Sequence, residues 1–161
     1  LPSTGDARGF GEAEQFLQAH NVRFDTVTHE HSVTTLDAAR RAHLSSHDVA
    51  KTVMVKVDGK LAMAVMPANE WLSLENLRKA SGARSVSLAS ESEFSDRFPE
   101  CEIGAMPPFG NLYGLDVYAA DTLSHEHSIA FNAGNHHELV RMGWSDYERL
   151  VHPRIMSMTR H

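Results

Sequence analysis

The segment from Thr52 to Met66 constrains the fold of this chain more than any other part of the sequence. Two apolar, strand-like runs, 52–57 and 60–66, flank the dipeptide Asp58-Gly59. Because Asp-Gly favours a two-residue turn with positive φ, this segment predicts a β-hairpin. Pro67 has no backbone N–H and is expected to end the second strand.

Helices and strands are predicted on both sides of this hairpin from apolar periodicity and from capping and turn residues. The predicted helices are 10–20, 34–44, 73–81, 90–98 and a last helix opened by a capping box at 145–148. The other predicted strands are 22–28, 84–88, 115–119, 128–132 and 138–142. This order contains no run of βαβ units. We therefore expect an α/β fold of the α+β type, with a curled mixed, largely antiparallel sheet or barrel flanked by helices.

The length and composition indicate one globular domain. The chain has 161 residues, of which 42% are hydrophobic and 22% charged. We expect a single domain over 1–161, with a flexible N-terminus at 1–9, a folded domain at 10–152 and a flexible tail at 153–161. No apolar run reaches the length of a membrane span, and a membrane partner is not expected. Cys101 is the only cysteine, which excludes an internal disulfide and fits a cytoplasmic protein.

The net charge of −6 limits the partners that the chain can bind. It argues against a broad nucleic-acid-binding face, and DNA is not expected as a partner. Any contact with RNA should be small and local.

Lys51 is a candidate anion-binding residue. It stands between Ala50 and Thr52 at the start of the predicted hairpin, where small neighbours leave room around it. A lysine in such a place can hold a phosphate as a point charge, although a solvated lysine has the same pattern.

The loop Gly104-Ala105-Met106-Pro107-Pro108-Phe109-Gly110 is a candidate oxyanion site. Its glycines allow close approach to a ligand and its prolines stiffen the backbone, so that backbone N–H groups can be aimed at a developing negative charge. The alternative is a rigid connector between elements.

Histidines form further clusters. His29-Glu30-His31 and His125-Glu126-His127 have a spacing that places both rings on one face if the segment is a strand, and His136-His137 is a third pair. Such clusters can bind zinc, but no established zinc-binding framework accompanies them. His29, His31 and His136 can equally line a pocket as neutral imidazoles.

The sequence lacks the motifs of several familiar catalytic mechanisms. There is no G-x-S-x-G elbow, no phosphate-binding P-loop and no dinucleotide fingerprint. Positioning and electrostatic stabilisation remain, with water or a substrate group as the nucleophile.

The ordered set of these segments resembles the YbaK and prolyl-tRNA-synthetase-associated editing domain family. The resemblance covers roughly Phe24 to Met142. It rests on the segments 28–31, 34–39, 49–56, 61–67, 88–90, 104–110 and 131–134, which occur in family order.

The resemblance implies a function and a site. The implied protein is a freestanding trans-editing hydrolase that cleaves the ester of mischarged aminoacyl-tRNA, such as alanyl- or cysteinyl-tRNA for proline, without a metal or other cofactor. Its partner is the acceptor end of aminoacyl-tRNA, with a synthetase or an elongation factor as a further partner. The implied catalytic residues are Lys51, Gly104, Pro108, Phe109 and Gly110. The implied substrate-binding residues are His29, His31, Thr52, Met106, Asn132, Gly134 and His136.

This chain departs from the family pattern at positions that shape the pocket. Pro107 replaces the usual serine before Pro-Phe-Gly, and Asn132 stands where some members have serine. Leu139 lies near a position at which some members carry aspartate. The edited amino acid therefore stays open. Two other functions also stay open, namely a non-catalytic module that binds aminoacyl-tRNA or a synthetase, and a histidine-rich metal hydrolase.

Overall fold

A computed structural model describes residues 11–32, 34–102 and 104–160 of the chain. The helices are α1 (Glu12–Ala19), α2 (Thr35–Arg41), α3 (Leu74–Ser81), α4 (Glu91–Phe94) and α5 (Trp144–Val151). The strands are β1 (Phe24–Thr28), β2 (Val49–Val57), β3 (Lys60–Pro67), β4 (Trp71–Leu72), β5 (Val86–Leu88), β6 (Asp116–Ala120), β7 (Ser128–Asn132), β8 (Glu138–Gly143), β9 (Arg154–Met156) and β10 (Thr159–Arg160).

The main sheet is mixed, with helices against it, which confirms the predicted fold class. Its strands follow the order β1-β8-β7-β2-β3-β6-β9, and β5 pairs with β2. The pairs β1–β8, β7–β8, β2–β3 and β2–β5 are antiparallel. The pairs β2–β7, β3–β6 and β6–β9 are parallel. The strands β4 and β10 form a second, two-stranded sheet.

The central hairpin forms as predicted. β2 and β3 pair from Ala50 opposite Pro67 to Val57 opposite Lys60. Asp58 and Gly59 both have positive φ, 51° and 79°, as a type I′ turn requires. The predicted N-cap of α2 is also present, because the Thr34 hydroxyl accepts a hydrogen bond from the backbone N–H of Asp37.

Side chains that alternate along β2 pack into different clusters on the two faces of the sheet. Ala50 and Met54 belong to the main core, which also contains residues of α1 and α5. Val55 belongs to a second cluster with Leu77 of α3. Val49 belongs to a third cluster, with Ala38 and Ala39 of α2 and with Ala130 of β7. The face of β2 away from the main core is therefore covered by α2 at one end and by α3 further along.

The expectation of a flexible tail after Pro153 is wrong for the described part of that segment. β9 pairs with β6, and β10 pairs with β4. Met158, between them, is fully buried, and its carbonyl accepts a hydrogen bond from the N–H of Ser73. Burial of the Met158 side chain attaches this segment to the second cluster. The segment is too short to show apolar periodicity, so the sequence does not indicate this packing.

The capping box predicted at Ser145 is also wrong. The N-cap of α5 is Gly143, and Ser145 lies inside the helix. The N–H of Trp144 donates to the carbonyl of His127, so the helix begins directly where β8 ends. Val151 of this helix packs into the main core, as expected.

The predicted first helix began at Phe10, which lies outside the described residues. No helix in the described part of the chain is long and apolar enough to cross a membrane.

Candidate functional site

Lys51 and Asn132 lie side by side on neighbouring parallel strands. In the β2–β7 pairing Val49 is opposite Ala130 and Ala50 is opposite Phe131. One further step in the same register places Lys51 beside Asn132. Because Val49 and Ala130 share the cluster under α2, the alternation of side chains puts Lys51 and Asn132 on that same face.

The Lys51 ammonium is held close to an aromatic ring and a carboxylate. Its Nζ lies 5.2 Å from the centroid of the Trp71 ring, within the range of a cation–π interaction. Burial lowers the pKa of Lys51 below its usual value, and the negative charge of Glu70 partly offsets this shift. The ammonium is therefore a partly desolvated cation, which interacts with an anion more strongly than a fully hydrated one does.

Glu70 is fixed by residues that are distant in the sequence. Its side chain is 4% exposed and accepts hydrogen bonds from the hydroxyls of Thr122 and Thr159. Thr159 belongs to β10, so the end of the described chain helps to hold the carboxylate next to Trp71.

Asn132 has a buried oxygen that no described residue satisfies. The residue is 5% exposed, and its Nδ2 donates to the Thr35 hydroxyl over 3.3 Å. Its Oδ1 has no hydrogen-bond partner among the described residues. Buried polar atoms usually have a partner, and those without one are common at ligand sites.

His29 presents a second buried atom of this kind. Its Nδ1 lies 2.6 Å from the carbonyl oxygen of Glu30. Since a carbonyl can only accept, Nδ1 must carry the proton, and in the neutral ring Nε2 is then a hydrogen-bond acceptor. That Nε2 is buried and has no partner within the described ranges.

Backbone hydrogen bonds join the His29 segment to the turn after β7. The N–H of His29 donates to the carbonyl of His137, and the N–H of Ser32 donates to the carbonyl of His136. The rings of His31 and His136 meet edge to face, with centroids 5.7 Å apart. The fold therefore brings the segment 29–32 against the turn that contains His136 and His137.

The first half of the predicted oxyanion loop contacts the same turn. The N–H of Gly134 donates to the carbonyl of Ala105, and the N–H of His136 donates to the Glu102 carboxylate over 2.6 Å. Gly104 has a φ of +83°, and a Cβ built on it would lie 3.6 Å from the His136 ring. Within the described residues, no backbone carbonyl accepts from the N–H of Gly104 or of Met106.

The second half of that loop packs into the core. Phe109 is fully buried, and its ring makes edge-to-face contacts with Phe16, Phe131 and Tyr147. The Pro108 carbonyl accepts a hydrogen bond from the buried Tyr147 hydroxyl over 2.6 Å. A Cβ on Gly110 would lie 2.6 Å from the Val117 side chain. These placements give Pro108, Phe109 and Gly110 a packing role that fixes the loop.

A comparison with protein-family models decides the affiliation. The model of the aminoacyl-tRNA editing domain matches residues 29–150, which include His29, Lys51, Asn132 and the loop 104–110. The chain belongs to the aminoacyl-tRNA editing domain family. No curated protein matches the sequence significantly.

Solved structures share the fold of this editing domain at low sequence identity. One, a hypothetical protein, superposes with a TM-score of 0.81 at 15% identity, covering 92% of this chain and 99% of that chain. A second is a candidate trans-editing enzyme for prolyl tRNA synthetase, with a TM-score of 0.78, 15% identity and 100% coverage of both chains. A third is a candidate signal transduction protein from Marinobacter aquaeolei, with a TM-score of 0.70 and 17% identity over 91% of this chain and 30% of that chain.

The two H-x-H segments of this editing domain do not lie in strands. The two rings of each segment would share a face only if the segment were a strand. His29 and His31 follow β1 in a loop, and His125 ends a short 3-10 helix. Across residues 11–32, 34–102 and 104–160, no three His, Cys, Asp or Glu side chains come together in a way that could hold a metal ion.

Sequence reasoning missed Glu70 and Trp71. They follow Pro67 in a five-residue stretch before the predicted helix 73–81, and the partners of Glu70 lie 52 and 89 residues away in sequence. The one available signal was the tryptophan, since a large aromatic residue is unusual in a surface connector.

Thr52, the remaining predicted substrate-binding residue, is half-buried and pairs with Val65 of β3. Its side chain alternates with that of Lys51 and lies on the side of the main core.

Proposed function

We propose that this editing domain is a hydrolase that cleaves the ester of mischarged aminoacyl-tRNA and acts in trans. The observation that carries the proposal is the position of the half-buried Lys51 beside Asn132, which has a buried and unsatisfied Oδ1, on one face of two parallel strands. A cation next to unsatisfied polar atoms suits a ligand that joins a phosphate to a small polar group.

Lys51 would hold the phosphate of the terminal nucleotide. An aminoacyl ester lies only a few bonds from that phosphate, so one anchored charge restricts where the ester can go. Because the chain has a net charge of −6, this local cation carries much of the attraction for RNA.

The N–H groups of Gly104 and Met106 would polarise the ester carbonyl. In the reaction the oxygen of water forms a bond to the carbonyl carbon, and the bond from that carbon to the ribose oxygen breaks. The ribose oxygen leaves with a proton, and the amino acid leaves as a carboxylic acid. Donors that are already in place stabilise the negative charge that develops on the carbonyl oxygen.

The water would be held at Nε2 of His29. This atom is an acceptor in the neutral ring, because Nδ1 donates to the carbonyl of Glu30. It is buried, and no described residue occupies its lone pair. It therefore offers a place for the proton of the attacking water.

Asn132, His31 and His136 would line the amino-acid pocket, with Gly134 at the turn between them. Asn132 fills space that a smaller residue would leave open, so we propose a small substrate side chain such as that of alanine or cysteine. The acceptor would be tRNA for proline, since one solved structure with this fold is described as a candidate trans-editing enzyme for prolyl tRNA synthetase.

The test is a panel of aminoacyl-tRNAs incubated with the purified protein. Alanyl- and cysteinyl-tRNA for proline, correctly charged prolyl-tRNA and unrelated alanyl-tRNA would be compared, with and without a chelator. We expect the mischarged substrates to be hydrolysed well above the spontaneous rate and the chelator to have no effect. Binding without hydrolysis of any substrate would indicate a non-catalytic module, and loss of activity with the chelator would indicate a metal hydrolase.

A further inference from the structure

We propose that the indole ring of Trp71, flanked by Lys51 and Arg160, is the surface on which the terminal base of the RNA acceptor end stacks. This inference rests on the proposed function and adds a recognition element that the sequence did not reveal.

Trp71 is the most exposed of the large hydrophobic residues in the described part of the chain. Its exposed fraction is 64%, whereas Leu72 beside it packs into the second cluster. An exposed indole leaves a large apolar surface in water, and aromatic rings of this kind are the usual platforms for unpaired bases.

The ring stands on a rigid base. β4 pairs with β10, with Leu72 opposite Thr159 and Trp71 opposite Arg160. On either side, Glu70 is bound by threonine hydroxyls and the N–H of Ser73 donates to Met158. Little ordering is therefore needed when a base stacks on the ring, which favours binding.

Two cations accompany the ring. Lys51 lies over one face, 5.2 Å from the centroid, so the base is expected on the other face. Arg160 is exposed and directly opposite Trp71 in the strand pairing. Among the described residues neither cation forms an ion pair, so both are available to phosphates.

This combination fits single-stranded RNA. An aromatic ring beside positive charges binds a base by its π-face and the adjoining phosphates by charge. The chain as a whole is acidic, so the site would capture the end of a strand and not a long duplex.

Intrinsic fluorescence can test this directly, because the chain contains two tryptophans and Trp144 is only 6% exposed. The protein would be titrated with the ribotrinucleotide CCA and, separately, with CC. We expect CCA to quench the emission of the exposed tryptophan, CC to quench it less, and Trp71→Phe to abolish the change while the Trp144 signal remains. Equal quenching by CCA in Trp71→Phe, or none in the wild type, would overturn the proposal.

Kinetics with the preferred mischarged tRNA give a second readout. Losing a stacked base typically raises KM by about 5- to 150-fold, and we expect this for Trp71→Ala with kcat within about 3-fold of the wild type. Trp71→Phe should retain most of the affinity. Leu88→Ala, which truncates another exposed apolar residue on β5, is the matched control and should leave KM unchanged.

The outcomes separate the two proposals. If Trp71→Ala has the KM of the wild type while mischarged tRNA is hydrolysed, the proposed stacking on Trp71 is wrong and the proposed hydrolase activity is supported. If the wild type hydrolyses nothing, the hydrolase is wrong, and the CCA titration still decides whether the ring binds a terminal base.

Discussion

The Nζ of Lys51 lies 5.2 Å from the centre of the Trp71 ring, and the negative charge of the buried Glu70, the preceding residue, acts on the same ammonium. Glu70 and Trp71, which follow the hairpin, therefore supply a negative charge and an aromatic face to the Lys51 ammonium. This relationship gives Lys51 a defined position before any RNA arrives.

Binding of the acceptor end should weaken at alkaline pH. Burial lowers the pKa of Lys51, so the ammonium loses its proton as pH rises through a value below the usual ~10.4. Glu70→Gln removes the negative charge that favours the ammonium, so the affinity should begin to fall at lower pH. Lys51→Arg should keep its affinity over the same pH range, because arginine stays charged. Affinity for a non-hydrolysable aminoacyl-adenosine phosphate, measured by calorimetry across pH, checks this. Identical profiles for the wild type and Lys51→Arg would contradict it.

The lowered pKa of Lys51 means that its charged form destabilises the folded protein, by an amount that depends on pH. Between the lowered folded pKa and the unfolded pKa, the folded protein binds fewer protons than the unfolded chain, so stability rises with pH in that window. Lys51→Met should therefore be more stable than the wild type at neutral pH, and the difference should shrink as pH rises through the window. Urea unfolding at several pH values measures it, and a difference that grows with pH would contradict the assignment.

The two glycines of the loop should respond differently to alanine. Gly110→Ala would force a Cβ against the backbone carbonyl of Leu115 and to within 2.6 Å of the Val117 side chain, so we expect a loss of about 3 kcal/mol in unfolding free energy. Gly104→Ala has space but a φ of +83°, and should cost about 1–2 kcal/mol. Displacement of the nearby N–H groups should lower kcat in Gly104→Ala by about 10- to 100-fold. Full activity in Gly104→Ala would remove this loop from the reaction.

Asn132→Leu should separate stability from activity. The Oδ1 of Asn132 is buried without a described partner, so an apolar side chain of similar size should change the unfolding free energy by less than about 1 kcal/mol, or raise it. Loss of the polar group should still reduce kcat/KM by about 10-fold or more. A large loss of stability with normal activity would show that Asn132 serves the core and not the substrate.

His29→Ala should lower kcat with little change in KM. Its Nε2 is the proposed acceptor for water, and removing such a group typically costs about 10²–10⁴-fold in rate. His43→Ala, at an exposed histidine after α2, is the control and should be fully active. Single-turnover hydrolysis at saturating protein distinguishes the two variants, and equal rates would exclude His29 as the water-holding residue.

Much of this molecule could be predicted where the signal was local. The hairpin was specified by Asp58-Gly59 between apolar runs, and the cap of α2 by Thr34 and Asp37. The position of Lys51 near the start of β2 is likewise specified locally. The order of the strands and the parallel pairing that sets Lys51 beside Asn132 depend on contacts between distant segments, which periodicity does not reveal.

Tertiary packing decides the features that local sequence patterns do not reveal. Phe109, which the resemblance implies as a catalytic residue, lies in the core among three aromatic rings, because a glycine- and proline-rich loop also packs tightly. Trp71 has no sequence prediction, and its pairing with β10 holds it beside Lys51. A two-residue strand is too short to leave any periodic pattern.

The measurement that tests the account most directly is hydrolysis of alanyl- and cysteinyl-tRNA for proline by the wild type, Lys51→Ala and Lys60→Ala. Lys60, an exposed lysine at the start of β3, is the matched control. Losing a charge-assisted phosphate contact of about 1.5–3 kcal/mol should reduce kcat/KM of Lys51→Ala about 10- to 150-fold, mainly through KM, while Lys60→Ala equals the wild type. Equal activity of Lys51→Ala and the wild type, or no hydrolysis above background by any of the three proteins, would contradict the account.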